Sequence, residues 1–231
     1  MTARPLHLVL LGQGKTGSLV AEVAAERGHR TQVITEIEND GGAWLTPENL
    51  RDTDAIIDFT TPEAVLANIA GCVAAGKPMV VGTTGWYGKL DRVRQEVERA
   101  GTGFVVGANF SYGVNLFFQI VRAAAPALHN GYSAHITERH HIHKKDAPSG
   151  TAVALQRVLA QASGVQPEIT SEREGDVAGI HTLELVSAGD RIVLTHEAQS
   201  RRAFAEGAVL AAEWVVGKTG FFDFKDIFGQ L

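Results

Sequence analysis

The stretch Leu6-His7-Leu8-Val9-Leu10-Leu11-Gly12-Gln13-Gly14-Lys15-Thr16-Gly17 passes from an apolar run to a glycine-rich turn, and an alanine-rich amphipathic segment, Ser18 to Arg27, comes after it. The order is strand, glycine turn, helix. There G-x-G-x-x-G lets the backbone approach a pyrophosphate and aims a helix N-terminus at it, so Gly12, Gln13, Gly14, Lys15, Thr16 and Gly17 are expected to cradle a dinucleotide. Alone, the motif is weak. It gains from a second apolar segment, Thr31 to Thr35, which ends at Glu36, about twenty residues past the last glycine, where a ribose-binding carboxylate belongs. A surface acid after a strand would look the same, so the meaning of Glu36 depends on the segments between it and Ser111.

Those segments keep the alternation. Asp54 to Phe59, Pro78 to Gly82 and Gly103 to Val106 read as buried strands, and Pro62 to Ala75 and Trp86 to Ala100 as the helices between them. This pattern specifies a parallel sheet covered by helices, with ligands beyond the carboxyl ends of the strands. Three turns lie at such ends: Asp58-Phe59-Thr60-Thr61, Gly82-Thr83-Thr84-Gly85 and Gly107-Ala108-Asn109-Phe110-Ser111. One such turn is ordinary turn chemistry. Three in series place Phe59, Thr60, Gly82, Thr83, Thr84, Gly107, Ala108, Asn109 and Phe110 beside the cofactor.

The second half changes character. Asn115 to Leu128 reads as a helix, Tyr132 to Thr137, Thr182 to Ser187 and Arg191 to His196 as strands of a mixed sheet rather than further βαβ units, and Ala203 to Val216 as a closing helix. Within it, Glu138-Arg139-His140-His141-Ile142-His143-Lys144-Lys145-Asp146-Ala147-Pro148-Ser149-Gly150-Thr151-Ala152 crowds three imidazoles and two ammonium groups just before a helix start. Imidazole titrates near neutral pH, so the cluster suits proton donation to an anionic substrate. Ser149 reads as the N-cap of a helix from Ala152 to Ala162, whose free N–H groups at Gly150 and Thr151 would hold a carboxylate or phosphate. The rival readings are a solvated basic loop and a metal site on His141 and His143. From Thr137 to Thr151 the formal charge is +1 before counting histidines, against −5 for the chain, which favours an anion. No metal is expected, because the ammonium groups repel a cation and no Cys or carboxylate stands at ligand spacing.

Composition bounds the rest. The 231 residues allow one large or two small domains, and 45% hydrophobic with 20% charged residues is ordinary for a soluble enzyme. The single Cys72 excludes an intrachain disulfide and fits a reducing compartment. No stretch reads as a signal peptide or a membrane span, so a cytoplasmic protein with no membrane partner is expected. Net charge of −5 without a basic stripe argues against nucleic acid.

Taken together these residues resemble the 4-hydroxy-tetrahydrodipicolinate reductase family, long called dihydrodipicolinate reductase, of the bacterial diaminopimelate and lysine pathway. Its signature looks like E-x-H-H-x-x-K-x-D-x-P-S-G-T-A, matched by Glu138, His140, His141, Lys144, Asp146, Pro148, Ser149, Gly150, Thr151 and Ala152. The D-F-T, G-T-T-G and A-N-F-S segments are similar too, as are Arg173-Glu174-Gly175, Ser200-Arg201, Phe204-Ala205, Gly207-Ala208 and Trp214. Two departures stand out: Leu11 replaces the first glycine of many members, and the region between Gly179 and His196 is shorter, which bears on subunit contacts.

The resemblance implies an α/β architecture, with a Rossmann-type parallel-sheet domain (1–109 and 202–231) plus a second α+β domain with a mixed sheet (110–201). It implies reduction of a cyclic dicarboxylate by NADH or NADPH in a homotetramer, with His140 as proton donor, Lys144 assisting, and His141, Ser149, Gly150 and Thr151 on the substrate. Glu36 followed by Ile37 points to NADH over NADPH. An amino-acid dehydrogenase of similar architecture or a non-enzymatic dinucleotide sensor would share the glycine turns. Neither needs the His-His-x-x-Lys and Pro-Ser-Gly-Thr combination.

Overall fold

In the computed structural model, which describes residues 4–231, the apolar runs of the first hundred residues become parallel strands. The order is β1 (His7–Leu11), α1 (Lys15–Glu26), β2 (Arg30–Ile34), β3 (Ala55–Asp58), α2 (Val65–Ala74), β4 (Met79–Val81), α3 (Leu90–Ala100) and β5 (Gly103–Val106). After α4 (Tyr112–Ala124) come β6 (Ser133–His140), α5 (Gly150–Ser163), β7 (Glu168–Arg173), β8 (Ile180–Val186) and β9 (Arg191–Glu197). The chain closes with α6 (Arg202–Val215), β10 (Gly220–Asp223) and α7 (Phe224–Ile227). Two compact units result: residues up to Tyr112 with Arg201–Leu231, and Gly113–Ser200.

The first unit is a six-stranded parallel sheet ordered β10-β5-β4-β3-β1-β2. Its central strands are buried on both faces, which is why they read as unbroken apolar runs. Leu8, Leu10, Ile57, Val80 and Val105 face α1 and α6, while Val9, Leu11, Ile56, Met79, Val81 and Phe104 face the side of α2 and α3. Each such side chain contributes about 1.5–3 kcal/mol by leaving water. The strand order reverses between β1 and β3, so the crevice for a ligand opens beyond Leu11 and Asp58, which are paired in register.

β10 is absent from the sequence reading. It is four residues long, and its place is set by packing: Phe221 stacks on Phe104 of β5 with ring centroids 5.1 Å apart.

The second unit is a four-stranded sheet ordered β7-β6-β8-β9, with β6 and β7 parallel and the other pairs antiparallel. The mixed sheet agrees with the sequence reading, with one correction. β6, α5 and β7 do form a βαβ crossover. β7, Glu-Ile-Thr-Ser-Glu-Arg, is polar and lies at the sheet edge, so it lacks the apolar run that marks a buried strand. One face of this sheet is covered by Phe117 and Val121 of α4 and Leu155 and Leu159 of α5, packed with Ile136, Leu183 and Leu185.

Candidate functional site

Two constellations stand out, one in each unit. In the first, a cleft of about 350 Å³ lies beyond the carboxyl ends of β1, β2 and β3. It is lined by Gly12, Gln13 and Gly14, by Thr35 and Glu36, and by Phe59, Thr60 and Thr61 among others. The size falls within the range of small-molecule sites. The tight turn rests on Gly12, whose φ of +100° favours glycine and where a Cβ would sit 2.3 Å from the Phe59 carbonyl oxygen. Gly14 has open space where a Cβ would be, so a ligand can approach its backbone closely. With Leu11 serving as the last buried residue of β1, the glycine missing at that position is not needed for the turn.

The wall of the cleft hangs on Asp58, which has no solvent exposure. Its Oδ1 accepts from the Thr60 N–H at 2.9 Å, the Thr60 hydroxyl at 2.7 Å and the Thr83 hydroxyl at 2.6 Å, and its Oδ2 from the Asn68 amide at 2.8 Å. Asn68 in turn accepts from Asn39 at 2.7 Å, and Asn39 accepts from the Trp44 N–H at 3.2 Å. A buried carboxylate is costly unless its lone pairs are filled, and here four neutral donors fill them.

The other expected cofactor residues divide. Lys15 and Thr84 are exposed, and Gly17 is buried where a Cβ would meet the Gly12 oxygen at 2.2 Å. Gly82 lies under the Phe59 ring, and Phe110 is a core residue, its ring 4.7 Å from that of Phe224. Gly107 is buried, Ala108 exposed, and Asn109 accepts from the Ser111 N–H at 2.9 Å.

In the second unit β6 and the start of α5 assemble the His-Lys signature. Glu138 is fully buried. Its Oε2 takes a short hydrogen bond from His140 Nδ1, and its Oε1 accepts from both terminal nitrogens of Arg173 at 3.1 Å and from the Ser149 N–H at 3.2 Å. Burial would push its carboxyl up, yet hydrogen bonds from Ser171, His140 and Arg173 hold it below the ordinary carboxylate value. His140 is pushed below the usual imidazole value by burial; Glu138 works in the opposite direction, and Lys144 and Arg173 add to the depression. Beyond His140 Nε2 stands Gly179, where a Cβ would lie only 2.8 Å away and cover the nitrogen.

Ser149 caps α5, accepting from the Ala152 N–H at 3.2 Å, and its hydroxyl meets His181 Nε2 at 2.9 Å. Both of its polar groups thus point inward, the N–H to Glu138 and the hydroxyl to His181, and the donors left for an anion at this helix start are the Gly150 and Thr151 N–H groups and the Thr151 hydroxyl. Lys144 reaches Asp146 at 2.8 Å. His141 is half-buried, its N–H bonded to the Val177 oxygen at 2.8 Å and its Nδ1 without a partner.

Sequence reading passed over three side chains that matter here. Arg173 was visible only as a letter in the Arg-Glu-Gly segment, and Asn68 is ten residues from the Asp58 it supports. His181 carried no signal at all. It is buried with its ring 5.1 Å from that of His140, and burial, helped by that neighbouring ring, drives its pKa down to about 4.

Comparison with known proteins bears on both constellations. The family descriptions for the N-terminus and the C-terminus of dihydrodipicolinate reductase match residues 6–110 and 113–228. A 4-hydroxy-tetrahydrodipicolinate reductase from Christiangramia forsetii is 36% identical, covering 98% of this chain and 99% of its own length. One from Thiobacillus denitrificans is 39% identical over 83% of each chain. A dipicolinate-bound dihydrodipicolinate reductase from Paenisporosarcina sp. TG-14 shares the fold, with a TM-score of 0.80 at 21% identity over 96% of this chain and 99% of its own. With both halves matched and relatives similar along nearly its whole length, the chain belongs to the dihydrodipicolinate reductase family of oxidoreductases.

Proposed function

We propose that the chain reduces 4-hydroxy-tetrahydrodipicolinate to tetrahydrodipicolinate, consuming one NAD(P)H and one proton and releasing water. The observation that carries this reading is the buried Glu138–His140 pair beside the unpartnered N–H groups of Gly150 and Thr151. Nicotinamide supplies the hydride when bound. The protein then has three tasks: to hold a dicarboxylate, to quench the charge that hydride leaves on the ring, and to keep water from competing. Helix α5 presents its first N–H groups and the positive end of its dipole to one carboxylate. His140 takes its second proton at Nε2 and donates it from there, while Lys144 stands by as second donor. The cleft of the first unit suits the dinucleotide, with the open backbone at Gly14 for the pyrophosphate and Glu36 for the ribose hydroxyls. The chain's single cysteine, Cys72, is buried and free, which supports a cytoplasmic location; no helix among the described residues is long and apolar enough to cross a membrane.

Loss of NADH absorbance with the cyclic substrate, against none without it, tests the activity. Thr151→Val is expected to raise the KM for the substrate roughly tenfold with little change in kcat or cofactor affinity, because one hydroxyl donor to a charged group is lost while the helix N–H groups stay. Unchanged affinity for pyridine-2,6-dicarboxylate in this variant would put the carboxylate elsewhere.

Cofactor choice is set by the rim of the cleft. Glu36 lines it and is exposed, Ile37 beside it is 91% exposed and uncharged, and Glu38 is turned back to accept from the Thr35 N–H at 2.8 Å. A 2′-phosphate there meets a carboxylate without an arginine. Lys15 in the glycine turn softens the repulsion, so NADH is expected to be preferred by roughly five- to tenfold in kcat/KM, on the order of 1 kcal/mol, and less so in added salt. Specificity constants for both cofactors at low and high salt measure this, and an NADPH preference at either salt would overturn the role of Glu36.

A further inference from the structure

Glu138 joins His140 to Arg173 and to the Ser149 N–H at the start of α5, and it cannot itself reach a substrate because no part of it is exposed. We propose that Glu138 is the positioning residue of this site: one carboxylate oxygen fixes the His140 ring through Nδ1 and leaves Nε2 to the substrate, and the other ties that ring to Arg173 and to the start of α5. The inference rests on the reading of His140 as proton donor.

The geometry supports it in three ways. An ionised carboxylate only accepts, so the proton shared with His140 resides on Nδ1, and the ring can acquire its second proton only at Nε2. Across the sheet, β6 pairs His140 with Arg173 of β7 and Glu138 with His181 of β8, so the titratable groups facing the imidazole are Glu138 from its own strand, Arg173, the neutral His181 ring, and Lys144 from the loop after β6. Among these only Glu138 is an acid. Without it the ring faces cations and an imidazole alone, and its protonated state loses its one stabilising charge. Finally, Glu138 Oε1 accepts from the Ser149 N–H, so the carboxylate that orients the donor also sets where the free Gly150 and Thr151 N–H groups stand.

Glu138→Gln keeps the shape and removes the charge. Expected in the variant are a kcat at neutral pH lower by roughly tenfold or more, a KM and an affinity for pyridine-2,6-dicarboxylate near wild type, and a kcat that recovers as the pH is lowered, because His140 then protonates without help. A damaged fold would not regain activity on acidification. NMR titration of the His140 ring should show the same displacement to lower pH with no substrate or cofactor present. Arg173→Gln, which removes a cation facing the ring while Glu138 stays, should displace the titration the other way, and it decides the matter should Glu138→Gln fail to fold. An unmoved His140 titration in whichever variant folds overturns the proposal. A wild-type enzyme inactive on the cyclic substrate would instead overturn the functional reading, and the NMR titration would still report on Glu138.

Discussion

Replacing His140 by alanine is expected to lower kcat by about a hundredfold or more while leaving substrate affinity within a few-fold, the pattern for a general acid that acts in the transition state. Steady-state kinetics with NADH oxidation as the readout measure it. The magnitude reflects the surroundings. His140 is buried, so no bulk water stands ready to replace its proton, and any residue larger than glycine at position 179 would press on its Nε2. Lys144→Ala should behave in the same direction: the ammonium sits close enough to depress His140, which is where a second donor would have to stand. Near-normal turnover in both variants would take them out of the mechanism.

Acid is expected to unfold the protein partly through His181. This ring is buried, its Nε2 meets the Ser149 hydroxyl at 2.9 Å, and its Nδ1 has no partner. Its folded pKa of about 4 lies below the ordinary 6.5, so the folded state favours the neutral ring. The corresponding stability is fully present above pH 6.5 and is lost as the pH falls toward 4, by about 3 kcal/mol for a displacement of 2.5 units. Urea unfolding of wild type and His181→Gln between pH 7 and 4, at one protein concentration, isolates the contribution. The gap between the two should narrow by that amount on acidification, and a gap that stays constant would mean that folding does not displace the His181 pKa.

Much of the first unit was legible because buried parallel strands such as Ala55–Asp58 and Met79–Val81 spell continuous apolar runs, and because glycine spacing reports backbone geometry directly. β10 and β7 were not. The one is four residues held by a Phe221–Phe104 stack, and the other is a polar edge strand whose partner is named by register, not by its own letters. In the site, His140, Lys144 and Thr151 stood out as residue types in a spaced motif. The supports did not: Asn39, Asn68 and Thr83 come to Asp58 from across the fold, and His181 reaches Ser149 from another strand. Hydrogen bonds of that kind leave no period in a sequence.

The Asp58 network bears on the entropy of cofactor binding. The turn after β3, the end of β4, helix α2 and the long connection after β2 all meet through one carboxylate and two amides. These segments would otherwise fluctuate independently, and a ligand would have to freeze each of them. Tied together by these hydrogen bonds they have less freedom to lose, so on the proposed reading of the cleft as the dinucleotide site little affinity is spent on immobilising its wall.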